Sequence, residues 1–235
     1  AMLLTGCVMD IAFRPVHQAT IDALVRGGYR AVVPRGGGCC GALAAHAGEL
    51  TSARDLARKR IAELEQAEVI VVDSAGCSAH MRTYGHLLAD DPAWAHRADA
   101  VAAKVRDAVE INAPPGRPVE GRVAVHDACH HLHAQGAAHL RADALRVEVR
   151  RTLRAAGATC VDLGDGGRCC GAGGIYNVLE PAMAGELGEQ KARAIIATGA
   201  PVVAVANPGC AIQITNHLRT LGSDVEVRHP LEIVD

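Results

Sequence analysis

Aromatic side chains are scarce in this chain: 235 residues hold one Phe, one Trp and three Tyr. Few platforms for base stacking follow from that. A net charge of −2 gives no positive field for a nucleic acid or an anionic membrane, so no nucleic-acid partner is expected. Long apolar runs are missing as well. The longest are strand-sized pieces such as Val69–Val72, far short of the roughly 20 residues a membrane span needs. No charged segment leading into an apolar stretch opens the chain, so no secretory signal and a reducing compartment are expected. Recognised catalytic motifs are absent too, with no P-loop and no Gly-x-Ser-x-Gly. Gly171-x-Gly173-Gly174 follows no clean strand and has no acidic residue at the dinucleotide spacing. Asp10, Asp73, Asp127 and Asp162 lie near expected strand ends, but no nucleophile–base–acid set forms around them, and no catalytic residue is expected.

What is present is ordinary globular composition, 49% hydrophobic and 21% charged, at a length that suits one large domain or two small ones. It comes with nine cysteines. An odd number cannot pair completely within one chain. A chain this long builds its own core without disulfide staples. Clustered cysteines in a reducing compartment point to metal or redox chemistry.

Periodicity predicts alternating strands and helices. The first half reads as strand Met2–Gly6, helix Pro15–Gly28, strand Tyr29–Pro34, helix Glu49–Ala67 with Leu50, Leu56, Ile61 and Leu64 on its apolar side, and strand Glu68–Asp73. A helix starting near Ser78 and another over Ala93–Glu110 complete it. Ala113-Pro114-Pro115-Gly116-Arg117-Pro118 is a linker signal. The order then recurs: strand Arg122–His126, helix Arg141–Gly157, strand Ala158–Leu163, helix Ala182–Gly199, strand Pro201–Ala206, helix Ala211–Gly222 and strand Val225–His229.

The cysteines show the recurrence to be a duplication. Cys7 matches Cys129 at an offset of 122, Cys39-Cys40 match Cys169-Cys170 at 130, and Cys77 matches Cys210 at 133. Two pseudo-symmetric repeats are predicted, residues 1–112 and 122–235 around a linker at 113–121, each a small parallel α/β sheet flanked by helices. Ligands of such sheets gather at the carboxyl ends of the strands. All six cysteine positions fall just beyond expected strand ends, so each quartet is expected to converge. Cys160 has no match and reads as a small buried hydrophobe.

Four thiolates per repeat fit zinc or an iron–sulfur cluster. Structural zinc sites favour C-x2-C knuckles, which are absent here. Adjacent cysteines serve one site only where the backbone turns sharply, and Gly36–Gly38, Gly41, Gly166, Gly167, Gly171, Gly173 and Gly174 permit that. A vicinal disulfide at each pair would be strained. The metal set is therefore Cys7, Cys39, Cys40, Cys77, Cys129, Cys169, Cys170 and Cys210, with His80 as a possible further ligand three residues after Cys77; its counterpart is Gln213. His126, His130, His131 and His133 surround Cys129 and read as ligands or as ordinary surface histidines.

At these residues the chain resembles the cysteine-rich CCG family, which includes the CCG-bearing component of heterodisulfide reductase and iron–sulfur subunits of glycolate and lactate oxidation systems. The likeness is nearest to the C-terminal part of the glycolate oxidase iron–sulfur subunit. It is carried by Thr5-Gly6-Cys7-Val8, Gly38-Cys39-Cys40-Gly41-Ala42, Ala75-Gly76-Cys77 with Tyr84-Gly85, and His126-Asp127-Ala128-Cys129 with His133-Ala134-Gln135. Cys169-Cys170-Gly171-Ala172-Gly173-Gly174-Ile175-Tyr176, Asn207-Pro208-Gly209-Cys210 and the ending Arg228–Val234 complete it.

The resemblance implies one or two iron–sulfur clusters, FAD-containing partner subunits that oxidise a 2-hydroxy acid, glycolate first among them, and electron flow to a quinone or other acceptor. It implies a cytoplasmic location, at most peripheral at the inner face of a membrane. The family pattern closes each repeat with Cys-x-x-Cys. Here the last position is His80 or Gln213, which favours a plain [4Fe-4S] or smaller cluster over a noncubane one. No C-x2-C-x2-C-x3-C run is present, so the N-terminal ferredoxin-like module of the resembled protein is expected to be absent, as in an excised C-terminal domain. The alternatives are a structural zinc or metal-free interaction domain, and a thiol–disulfide enzyme using the adjacent cysteines.

Overall fold

The computed structural model describes residues 1–134 and 144–235. Gln135 of the family motif and the expected helical residues Arg141–Asp143 lie outside the described residues. Contacts divide the chain into two compact units, Ala1–Ala113 and Pro114–Asp235. Among the described residues no helix is long and apolar enough to cross a membrane.

The first unit runs β1 (Met2–Leu4), α1 (Val8–Ala12), α2 (Arg14–Arg26), α3 (Ala42–His46), α4 (Leu50–Leu64), β2 (Ile70–Val72), α5 (Ala75–Met81), α6 (Tyr84–Leu87), α7 (Ala95–Lys104), β3 (Val105–Asp107) and a 3-10 turn at Ala108–Glu110. Its parallel sheet has the order β1-β2-β3. Strand β2 is central and buried throughout, which is why it reads as an unbroken apolar run. Helix α2 starts with Pro15 in its first turn and gives way to Gly27-Gly28, with Gly28 at φ +82°.

The second unit runs β4 (Arg122–His126), a π-helical turn (His130–Ala134), α8 (Ala144–Ala155), β5 (Thr159–Asp162), α9 (Tyr176–Leu179), α10 (Pro181–Ala197), β6 (Val202–Val205), α11 (Pro208–Thr220), β7 (Glu226–Arg228) and α12 (Pro230–Val234). All strand pairs are parallel in the order β5-β4-β6-β7. The expected mixed α/β architecture with parallel sheets is therefore present in both units. Residues within 113–121 are tied to the second unit: Gly116 and Arg117 N–H donate to Val234 O, and Val119 N–H to Ala156 O.

Several expected elements differ. Tyr29–Pro34 is no strand. Only Val32 bridges, to Met2, while Val33 is exposed and Pro34 has no N–H to give a ladder. That bridge still matters, because it lies beside β1 as β5 lies beside β4, so both units share one strand order. The expected helix Ala93–Glu110 stops at Lys104, and Val105–Asp107 pairs with β2 instead. Three residues with a buried–exposed–buried pattern are too short for periodicity to reveal a strand. The buried face of α4 is Ala53, Ala57, Ile61 and Leu64; Leu50 is exposed and Leu56 only half-buried. Small alanines allow α4 to approach the cysteine turn closely, which a leucine stripe would prevent. Helices α1, α3, α9 and α12 have no counterpart among the expected elements.

The repeat extends further than the cysteines. Asp107 caps the 3-10 turn in a capping box, its carboxylate accepting from Val109 N–H while its own N–H donates to Glu110. His229 caps α12 in the same way, with Glu232 as the returning acceptor. The 122-residue offset between these boxes equals that between Cys7 and Cys129.

Candidate metal centres

Each unit delivers four cysteines from three separate segments to the carboxyl edge of its sheet. Cys7 follows β1 and stands at the start of α1. Cys77 and Cys210 differ from expectation. They do not precede helices but sit in the first turns of α5 and α11, each five residues past the end of its strand, β2 or β6. Backbone N–H groups not used within a helix crowd that first turn and favour a thiolate there. Cys39-Cys40 follow no true strand, since Val32 forms only a bridge. Cys129 lies beyond β4, ahead of the π-helical turn, and Cys169-Cys170 lie well past β5.

The adjacent pairs depend on a glycine after each. Gly41 (φ +92°) and Gly171 (φ +87°) turn the chain so that their N–H groups reach back 3.3 Å to Cys39 Sγ and Cys169 Sγ. These glycines also rest on a helix backbone. A Cβ on Gly171 would lie 2.5 Å from Ala184 O in α10, and one on Gly41 3.1 Å from Ala53 O in α4. Gly171→Ala is therefore expected to cost about 2–4 kcal/mol, from left-handed strain plus a backbone clash. Gly41→Ala should cost visibly less. Urea unfolding of both variants checks the order, and equal costs would contradict the geometry.

In the first unit the sulfurs interact in a chain, Cys7 with Cys39, Cys39 with Cys40, and Cys40 with Cys77. Thiol donors Cys40 and Cys7 hold Cys39 as a thiolate, its pKa lowered to about 2, with Gly41 N–H and the nearby His80 assisting. Cys77 is lowered by Cys40 and then by Ser74. Cys7 and Cys40 are raised, because each gives its proton to a neighbouring sulfur. The second unit repeats this. Cys169 is lowered to about 2 by Cys129 and Cys170, and Cys210 is lowered by Cys170, with His126 and Asn207 adding to it. Cys129 and Cys170 are raised. Metal binding to either quartet would therefore displace thiol protons.

Buried cations underlie both cysteine turns. Arg60 on α4 donates to Gly37 O and to Glu63 Oε1 at 2.8 Å. Lys191 on α10, 1% exposed, is ion-paired with Asp165 and lowers the pKa of Cys129. Positive charge beside a polythiolate offsets its self-repulsion.

His80 is buried next to the first quartet, 5.5 Å from the Tyr84 ring, edge to face, while the Tyr84 hydroxyl donates to Cys40 O at 2.6 Å. Its counterpart Gln213 is buried too, donating to Ala184 O at 3.0 Å. Of the histidines around Cys129, His126 reaches the sulfurs. Its ligand atom and those of Cys170 and Cys210 all lie within 4.8 Å of one another. His131 is buried in the π-helical turn, and His133 lines an open cleft of about 420 Å³ with Asp127 and Arg146. Cys160 joins neither quartet. It is half-buried on β5 rather than a core residue, its thiol 3.9 Å from Arg150 O.

Sequence reasoning missed the ion-pair groups. Asp127 accepts both Arg150 guanidinium nitrogens, at 2.6 and 2.9 Å, and Arg146 Nε at 2.9 Å; Arg150 also bonds Asp162. The i, i+4 spacing of Arg146 and Arg150 on one helix face was the available signal. Asp73 at the end of β2 holds His17 Nδ1 at 2.6 Å in a buried pair, with no such signal in the sequence.

Residues 1–82 and 123–215 match the family described as CCG, cysteine-rich domain. The chain is 33% identical over 95% of its length to the probable glycolate oxidase iron-sulfur subunit of Bacillus subtilis (strain 168), of which it spans about half, 51%. It is 28% identical over 99% of its length to lactate utilization protein A of Bacillus cereus (strain G9842), of which it spans 97%, and 28% identical to the protein of the same name from Bacillus thuringiensis (strain Al Hakam).

Proposed function

Because the chain belongs to the cysteine-rich CCG family, we propose that its two quartets hold iron–sulfur clusters and that it is the electron-transferring subunit of a complex oxidising a 2-hydroxy acid. The observation that carries this reading is the repeated gathering of four thiols from three separate segments onto one sheet edge, with turn N–H groups on the sulfurs and a buried cation beneath.

Four thiolates suit a cluster or a zinc ion by softness, and the sulfur contacts of the first unit are pairwise, where one tetrahedral ion requires them to be mutual. Tetrahedral zinc with bonds near 2.3 Å brings its sulfurs to about 3.8 Å from each other. In the first unit the contacts run pairwise from Cys7 to Cys77. Among the described residues only His126, Cys170 and Cys210 form a set of three donors mutually within 4.8 Å. That set is the one specific support for a mononuclear ion.

A bound cluster supplies reversible one-electron storage. The residues of the chain hold and tune it. Cys7, Cys39, Cys40 and Cys77 would ligate one cluster, a plain [4Fe-4S], and Cys129, Cys169, Cys170 and Cys210 would supply the thiolates of a second, with His80 beside the first. Gly41 and Gly171 N–H groups favour the anionic sulfurs. The two units are read as the two repeats, residues 1–112 and 122–235. Substrate chemistry is assigned to FAD-containing partner subunits, with glycolate as the substrate, a quinone or similar carrier as acceptor, and the cytoplasm as the location. The names of the glycolate and lactate relatives support a 2-hydroxy acid.

Anaerobic incubation of the apo-protein with iron and sulfide tests this. Iron and acid-labile sulfide in near-equal amounts, with an EPR signal on reduction, are the expected result. Tight zinc binding with no iron uptake would overturn it.

A further inference from the structure

The two sites are not copies of each other, and His126 makes the difference. It ends β4, where it is registered against Val205 of β6. The equivalent residue of the first unit, Leu4, ends β1 registered against Val72 of β2 and is a core residue. A fully apolar position in one repeat is thus an imidazole in the other. His126 is 2% exposed, and neither ring nitrogen has a partner in hydrogen-bond geometry, although the ring leans on Cys210 and favours its thiolate. A buried polar group without a hydrogen bond costs free energy, and a core position offers leucine as the inexpensive alternative. Its nitrogen lies within 4.8 Å of both Cys170 Sγ and Cys210 Sγ, the spacing of donors around one metal ion. Strand order adds a second reason. In the order β5-β4-β6-β7 the connections leave β4 and β6 in opposite directions, and the carboxyl ends of those two strands bound the crevice where ligands of parallel sheets bind.

We infer that His126 is a fifth protein donor of the second site. One imidazole nitrogen ligates the metal centre held by Cys129, Cys169, Cys170 and Cys210, and the first site has no donor at that position. The two centres of one chain then differ in ligand field and in reduction potential, since donor type and number around a cluster set its potential. This rests on the metal-centre reading above but not on the metal being iron.

The test uses the full chain carrying Cys39→Ala and Cys40→Ala, so that only the second site loads, with and without His126→Leu, the residue already accommodated in the first unit. Iron–sulfide reconstitution is read by nitrogen hyperfine coupling on the reduced centre. Cobalt(II), added separately to the apo-protein, is read by X-ray absorption and by affinity. Strong nitrogen coupling lost in the His126→Leu chain is expected, with cobalt affinity falling at least about tenfold, as ligand losses cost no less than outer-sphere ones. Selective 15N-histidine labelling of the chain that retains His126 gives the same readout if the leucine variant fails to fold. Iron uptake without nitrogen coupling would overturn the inference and leave the iron–sulfur reading intact. Refusal of iron with cobalt bound through a nitrogen that His126→Leu removes would do the reverse. Binding of neither metal would overturn both.

Discussion

A chain carrying Cys170→Ala should retain about half of the iron and labile sulfide of the unsubstituted protein, and Cys40→Ala should remove the other half. Both sulfurs are buried at the middle of their quartets. Cys40 meets Cys39 and Cys77, and Cys170 meets Cys169 and Cys210. Removing either sulfur breaks its chain of thiol donors in the centre. The loss stays local because each quartet is built from loops of its own unit. Stability of the apo-protein should change little, by about 1 kcal/mol, because a small buried hydrophobe is exchanged for a slightly smaller one. Iron, sulfide and integrated EPR spins per chain measure the effect. If one substitution emptied both sites, the two quartets would not be separate centres.

Asp165→Ala should be the most destabilising single change in the second unit outside its apolar core. Lys191 has its side chain 1% exposed, and Asp165 is its ion-pair partner in the glycine-rich loop ahead of Cys169. Asp165 also accepts Gly167 N–H at 3.1 Å, so it shapes that loop. Removing the carboxylate leaves an uncompensated buried charge, at a cost of about 3–5 kcal/mol. That is a large share of the roughly 5–15 kcal/mol that holds a typical domain together. For a unit of this size the melting transition should fall by about 10–20 °C. Lys191→Met, which replaces the charge by an apolar chain of similar length, should be near neutral in stability. Combining the two substitutions should restore most of the stability lost in Asp165→Ala. Calorimetry of the three variants checks the series, and a cost for Asp165→Ala below about 1 kcal/mol would show that the ammonium finds water or another partner.

Much of the architecture was legible because its signals are local. Strand β4 is expected at Arg122–His126 and is found there, since its apolar run is bounded by polar residues and ends before a cysteine turn. The position of α2 follows from Pro15 and Gly27-Gly28. Elements that escaped the sequence pattern are short or dominated by tertiary contacts. Strand β3 has three residues, and its partner β2 decides its conformation more than its own composition does. The buried stripe of α4 departs from expectation because leucine usually marks a core face, whereas here the close approach of Gly41 to Ala53 O selects alanine.

The scarcity of aromatics and the odd count of nine cysteines are properties the sequence states by itself. Together with the offsets of 122, 130 and 133 they determine two repeats with four matched thiols each and Cys160 left over. Which groups join those thiols was decided only by the tertiary structure. His126 stands 44 residues before Cys170 and 84 before Cys210, and Lys191 lies 26 after Asp165. These groups meet because parallel strands in register bring distant loops to one edge, and because a glycine without a Cβ lets a helix backbone come close. Neither the register nor the closeness has a local signature. Residue type marks which side chains are able to ligate, but packing determines which of them meet.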